Sequence, residues 1–125
     1  MQPEIITYDP EKEYFFREGC FINELSNSHA DPGLSVARVR VRPGDFTRWH
    51  RLDERVERYV ILQGSGEVEL GDLAPKRVSE GDVVLIPPGC RQRIRNDGVD
   101  ELVFLALCTP RFVEACYRDI SAAGE

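Results

Sequence analysis

The stretch RWHRLDERVER, residues 48–58, holds one of the two histidines of the chain, His50, and a carboxylate further on, Glu57. An imidazole in this position can be a metal ligand, a general base, or a polar residue satisfied by a neighbour. The spacing around it bears on the choice. In an extended chain alternate side chains share a face. Arg48, His50 and Leu52 therefore fall together, as do Glu57, Tyr59 and Ile61, and later Gln92, Ile94 and Asn96. If these faces turn inward in a small closed sheet, His50, Glu57 and Gln92 put polar groups into a cavity otherwise lined by aliphatic and aromatic side chains. Such groups must be paired, hydrated or bound, because an unsatisfied buried polar group costs about 1–3 kcal/mol. Arg48, on the face of His50, can clamp a carboxylate or phosphate in bidentate fashion. Tyr59, beside Glu57, can add a hydroxyl donor. Together they predict a small anionic ligand; the rival expectation is that Arg48 only neutralises Glu57.

The elements that must position these residues read as strands. SVARVRV alternates and ends at Pro43-Gly44, a turn signal. RYVILQG and GEVELGD flank Gly64-Ser65-Gly66 and predict a hairpin. DVVLIPPG is a short apolar run stopped by prolines, RQRIRN alternates up to an Asp97-Gly98 turn, and ELVFLALC reads as a buried strand. Helical signals are confined to residues 10–17, behind Asp9-Pro10, and 110–119, opened by Pro110. The GSG segment precedes no helix pattern and is not a phosphate cradle. Neither linker, low-complexity stretch nor tandem repeat interrupts the chain. Regularly spaced short strands with turn punctuation predict one all-β sandwich or barrel.

Composition narrows the function classes. At 125 residues the chain suits a single domain able to bury a core without disulfide staples. Its 42% hydrophobic and 30% charged residues are those of an ordinary globule, and no apolar run approaches membrane-spanning length. The N-terminus lacks the basic-then-apolar order of a signal peptide, so a cytoplasmic location with no membrane partner is expected. Cys20, Cys90, Cys108 and Cys116 form no C-x-x-C pair and are expected to be reduced thiols that pack as small hydrophobes. A net charge of −6 argues against nucleic acid as a partner. Arg38, Arg40 and Arg42 alternate along one strand face; this reads as a solvated or salt-bridged stripe, with anion binding as the alternative. His29 lies in the loop-like SNSHADPG and is expected to be exposed.

Gly44 to Gly64 reads G-DFTRW-H-R-L-DERV-E-RYVILQ-G, and Gly81 to Asn96 reads G-DVVLI-P-P-G-CR-Q-RIR-N. These segments resemble the two motifs of the cupin superfamily, G-x5-H-x-H-x3,4-E-x6-G and G-x5-P-x-G-x2-H-x3-N, with every spacing kept. The resemblance runs over about residues 35–110 and implies a double-stranded β-helix, or jelly-roll barrel, as one domain over 1–125 with short terminal extensions. It also implies a homodimer. The family's metal positions map onto His50, the Leu52 position, Glu57 and the Gln92 position, so two of the four are changed. Leu52 cannot ligate, and Gln92 offers only a carbonyl oxygen. The first expectation is a metal-dependent enzyme in which His50, Glu57 and Gln92 hold Fe(II), Mn(II), Ni(II) or Zn(II). Within the family's repertoire it would be an oxygenase, a decarboxylase or other lyase, or an isomerase. The alternatives are a metal-free ligand-binding or sensory module, and acid–base catalysis by Glu57 and His50 without metal.

Overall fold

Alternation decides the architecture: the longer strands of the computed structural model, which describes residues 1–123, bury one side of the pleat and leave the other outside. The strands are β1 (Tyr14–Phe16), β2 (Cys20–Ser26), β3 (Ser35–Val41), β4 (His50–Leu52), β5 (Val56–Gln63) and β6 (Ser65–Leu70). They continue with β7 (Lys76–Ser79), β8 (Val83–Ile86), β9 (Gln92–Arg95), β10 (Leu102–Thr109) and β11 (Tyr117–Asp119). Six form one antiparallel sheet in the order β1-β2-β3-β10-β5-β8, and five form the other, β11-β4-β9-β6-β7. The two pack face to face as the expected all-β jelly roll. Among the described residues, no helix is long and apolar enough to cross a membrane.

One part of the interior is filled by aliphatic and aromatic side chains, among them Val41, Ile61, Ile86, Ile94, Leu102 and Phe104, all buried. A second cluster holds Phe16, Leu52, Cys108, Cys116 and Tyr117, and all of these but Cys116 line a cavity. Asn96, the last motif residue, is structural. It donates to the carbonyls of Val41 and Asp100 at 2.9 and 2.8 Å and accepts from Gly98 N–H at 3.0 Å.

The predicted hairpin through Gly64 does not form. β5 pairs with β10 and β8, whereas β6 pairs with β7 and β9, so the chain changes sheets at this point. Gly64 makes the corner at φ 78°, and a Cβ there would lie 2.5 Å from the Glu101 carbonyl oxygen. The turn residues are thus required, but for a sheet crossing. The predicted helices shrink as well. Residues 10–17 give one turn of 3-10 helix, Pro10–Lys12, and then β1. Residues 110–119 give a similar turn, Glu114–Cys116, and then β11. In both places pairing with a sheet edge overrides a weak local helical preference.

The alternating arginines are salt-bridged. Arg40 contacts Glu13 and Glu101, each at 2.5 Å, Arg38 approaches Glu13, and Arg42 pairs with Asp45. All four cysteines are unpaired.

Candidate functional site

The cavity lies between the two sheets, at the end where β4, β11 and the β1–β2 turn meet β5 and β10, and has a volume of about 60 Å³. That is room for several waters or a small molecule. Three of the predicted residues line it directly, His50, Glu57 and Tyr59. His50 enters from the start of β4 and is 2% exposed; Glu57 enters from the inward face of β5 and is 8% exposed. Gln92, fully buried on β9, stands behind Glu57 and donates its amide N–H to Glu57 Oε1 at 2.8 Å. Tyr59 also lines the cavity, but its hydroxyl donates to the carbonyl of Gln92 and is not free for a ligand. The chain Tyr59–Gln92–Glu57 thereby fixes the orientation of the carboxyl.

The imidazole is held as firmly. His50 Nδ1 lies 2.6 Å from the carbonyl oxygen of Arg48. A carbonyl can only accept, so Nδ1 carries the proton and Nε2 keeps its lone pair. The ring stacks on Tyr117 at 5.5 Å with planes 21° apart.

Arg48 takes no part in the cavity. Its guanidinium is largely exposed and lies 3.8 Å from Asp119. The expectation of a shared face assumed an extended strand through residue 48, but β4 begins only at His50, behind a bend at Trp49. The backbone there is committed to anchoring: Arg48 N–H donates to the Glu18 carbonyl while the Arg48 carbonyl accepts from His50. Trp49 is buried beneath the guanidinium groups of Arg91 and Arg93, whose carbons lie 4.6 and 4.5 Å from its ring. With Arg48 outside, the charged groups lining the cavity are acids, and no Arg or Lys is among the described lining residues.

Glu18 and Tyr117 were not foreseen. Glu18 sits in the β1–β2 turn with its Oε1 3.6 Å from His50 Nε2, and its Oε2 accepts from the Cys20 thiol at 3.3 Å. The turn is pressed against the chain preceding β4. Gly19 has φ 114°, and a Cβ there would lie 2.4 Å from the Phe46 carbonyl oxygen, so only glycine lets the carboxylate reach this depth. The sequence signal was the lone Gly after a charged residue, too weak to single out among ten glycines. Tyr117 comes from the C-terminal β11, and its buried hydroxyl has no hydrogen-bond partner.

Electrostatics separates Glu57 from the arginine-paired carboxylates elsewhere. Burial pushes the Glu57 carboxyl up to about 7, against smaller opposing contributions from His50, Gln92 and Cys108, with Glu18 adding to the rise. Burial also raises the Cys20, Cys108 and Tyr59 groups, so both thiols and the phenol stay protonated.

The family's metal chemistry needs several donors turned to one point. Here Leu52 is apolar and packed against Phe16, Cys108 and Tyr117. The Gln92 carbonyl faces Tyr59 and its amide faces Glu57. Among the described residues no cluster of three or more His, Cys, Asp or Glu side chains is placed to hold a metal ion. The donor set therefore does not fit the family's metal site.

Comparisons with known proteins agree with the architecture. Among solved structures, an uncharacterized Klebsiella pneumoniae protein with a double-stranded β-helix domain superposes with a TM-score of 0.75 at 16% identity, covering 92% of this chain and 96% of that one. A nucleoside dehydratase gives 0.76 at 20% identity, covering 94% and 92%. A predicted oxalate decarboxylase from Thermotoga maritima gives 0.67 at 26% identity, covering 73% and 80%. A search of curated proteins finds no sequence match. The family model described as the cupin domain matches residues 37–108, from the middle of β3 to the end of β10 and through both motifs. On that match and this fold, the chain belongs to the cupin family.

Proposed function

We propose that this cupin binds a small uncharged molecule and moves a proton on it, in an isomerase or lyase type of reaction, with His50 as base and Glu57 as acid and with no metal taking part. The carrying observation is the placement of Glu57. A carboxyl buried in an apolar cavity, held by an amide and with no guanidinium or ammonium group among the lining residues, is an acid kept for donation. The same cavity offers a basic nitrogen in a fixed tautomer. Two titratable groups in one enclosed space, set to opposite tasks, are what general acid–base catalysis requires.

The step is a proton abstraction beside a carbonyl. His50 Nε2 takes a proton from the carbon, and the electron pair moves into the carbon–carbon bond. Glu57 gives its proton to the carbonyl oxygen, leaving an enol. Where the first carbon carries a hydroxyl the enol is an enediol: the imidazolium returns its proton to the former carbonyl carbon while that hydroxyl gives its proton to the Glu57 carboxylate, and an isomerisation is complete. Loss of a hydroxyl from the next carbon, with a proton, as water completes a dehydration. The imidazolium formed in the step is stabilised by Arg48 carbonyl oxygen on one side and Glu18 on the other. The expected anionic substrate is set aside, because an anion would meet the Glu18 carboxylate while Arg48 lies outside the cavity beside Asp119. The fold alone does not choose among cupin chemistries, so the reading rests on these side chains.

The test has two parts. Protein purified without chelators should carry far less than stoichiometric metal. It should also exchange the carbon-bound protons of a small ketone for solvent deuterium, followed by NMR, and keep doing so after chelator treatment. Exchange that disappears with the chelator and returns with added metal would overturn the metal-free reading. No exchange with any small carbonyl compound would leave a binding module instead of an enzyme.

A further inference from the structure

Tyr117 has a hydroxyl buried with no partner, in a residue only 6% exposed and lining the cavity. Its ring cannot swing to a partner elsewhere. It stacks on His50, meets the edge of Phe16 at 5.1 Å, and is covered by the Arg17 guanidinium 4.7 Å from its centre. Pairing of Tyr117 with Leu52 fixes the backbone beneath it. Burial, with Glu18 and Asp119 nearby, drives the phenol far above its ordinary range, so it remains a proton donor. Glu18, at the Nε2 edge of the imidazole, has the opposite lack. Its oxygens receive only the Cys20 thiol at 3.3 Å, a weak donor to a buried carboxylate, and His50 Nε2 at 3.6 Å lies beyond hydrogen-bond reach and keeps its lone pair.

We propose that Tyr117 and Glu18 form a recognition subsite for an uncharged α-hydroxycarbonyl compound, the Tyr117 hydroxyl donating to its carbonyl oxygen and Glu18 accepting from the adjacent hydroxyl. The inference rests on the proton-transfer reading of the cavity and supplies its substrate class. Such a compound satisfies both groups at once and presents an acidic C–H to the imidazole that both adjoin. A carboxylate or phosphate in its place would face Glu18, while the Arg17 guanidinium over Tyr117 is already paired with Glu114. Both residues lie outside the matched residues 37–108. The matched barrel thus supplies the acid–base pair, and the terminal segments, β11 and the β1–β2 turn, supply selectivity.

Dihydroxyacetone is the probe, with glycerate as its anionic counterpart; affinities are read by NMR titration and α-proton exchange into deuterated water is read in the same samples. Wild-type protein should bind dihydroxyacetone in preference to glycerate. Tyr117→Phe should weaken dihydroxyacetone binding about tenfold, the loss of one hydrogen bond to a buried group, with no loss of melting temperature, since the hydroxyl it removes is unsatisfied. Glu18→Gln, an independent variant, should weaken it by a similar factor. Undiminished binding by both variants, glycerate bound as tightly as dihydroxyacetone, or no dihydroxyacetone binding at all would overturn the subsite. Glu57→Gln separates the two claims, as it should bind the probe and fail to exchange its protons. Tyr117-dependent binding without exchange in the wild type would overturn the proton-transfer reading alone.

Discussion

The outer face of β3 and the cavity beneath it treat charge in opposite ways. Outside, Arg40 lies between Glu13 and Glu101, Arg38 approaches Glu13, and Arg42 meets Asp45, so each guanidinium has a carboxylate. Arg40 and Arg38 hold the Glu13 carboxyl below its ordinary range. Inside, Glu57 and Glu18 have no guanidinium; their neighbours are an amide, thiols and one imidazole. A chain rich in arginine could have neutralised both. Keeping a carboxyl buried and unpaired sacrifices stability, and the groups retained on such terms are the ones that serve a ligand. The outer arrangement serves the sheet, and the inner one serves chemistry.

The contrast is broken most sharply by removing the inner acid. Glu57→Gln should lower the rate of α-proton exchange by at least about a hundredfold, the usual contribution of a positioned acid, while the protein stays folded because Gln92 can still donate to the new carbonyl. An exchange rate within a few-fold of wild type would show that Glu57 is only structural.

Stability against pH should separate the two regions next. Folding holds the Glu57 carboxyl at about 7, above its ordinary value of 4.5, so between these values the folded protein keeps a proton that the unfolded chain releases. The stabilisation is complete below the ordinary value and is lost as pH rises through 7, a fall of about 3 kcal/mol. Urea unfolding from pH 5 to pH 8 checks this, and Glu57→Gln should flatten the profile. Glu13 runs the other way: its depressed carboxyl stabilises above the ordinary range and loses that contribution in acid.

On the outer face, Arg40→Ala should cost roughly 1 kcal/mol, since the pairs are partly solvated, and should leave proton exchange unchanged. The smallest effect is expected of Arg48→Ala. Its exposed guanidinium, 3.8 Å from Asp119, should contribute little to stability or to binding of any small ligand. A strong loss of ligand binding in this variant would return Arg48 to the site.

How far the sequence could be read follows from the same geometry. Strand parity placed the His50, Glu57 and Gln92 side chains on the inward face, where all three are buried, because a pleat propagates its alternation as long as the strand stays extended. Parity failed at Arg48, where the bend at Trp49 and the hydrogen bonds to Glu18 and His50 end the strand. The Gly64 corner was read as a hairpin because a sheet crossing uses the same turn residues, and only the pairing partners tell the two apart. Glu18 and Tyr117 were invisible because they reach the cavity through contacts between segments far apart in the chain. The hydrogen bonding of Gln92 was also hidden: its residue type allowed a metal ligand, and only the positions of Tyr59 and Glu57 show its amide to be engaged on both sides.

The central claim is that Glu57 is a buried acid poised near neutrality and left without a cation. A titration of the side-chain carboxyl carbons by carbon-13 NMR, with Glu57→Gln assigning the signal, measures it directly. The expected result is one carboxyl titrating at about 7 that vanishes in the variant. A Glu57 signal titrating in the ordinary range, roughly 4.3, would contradict it.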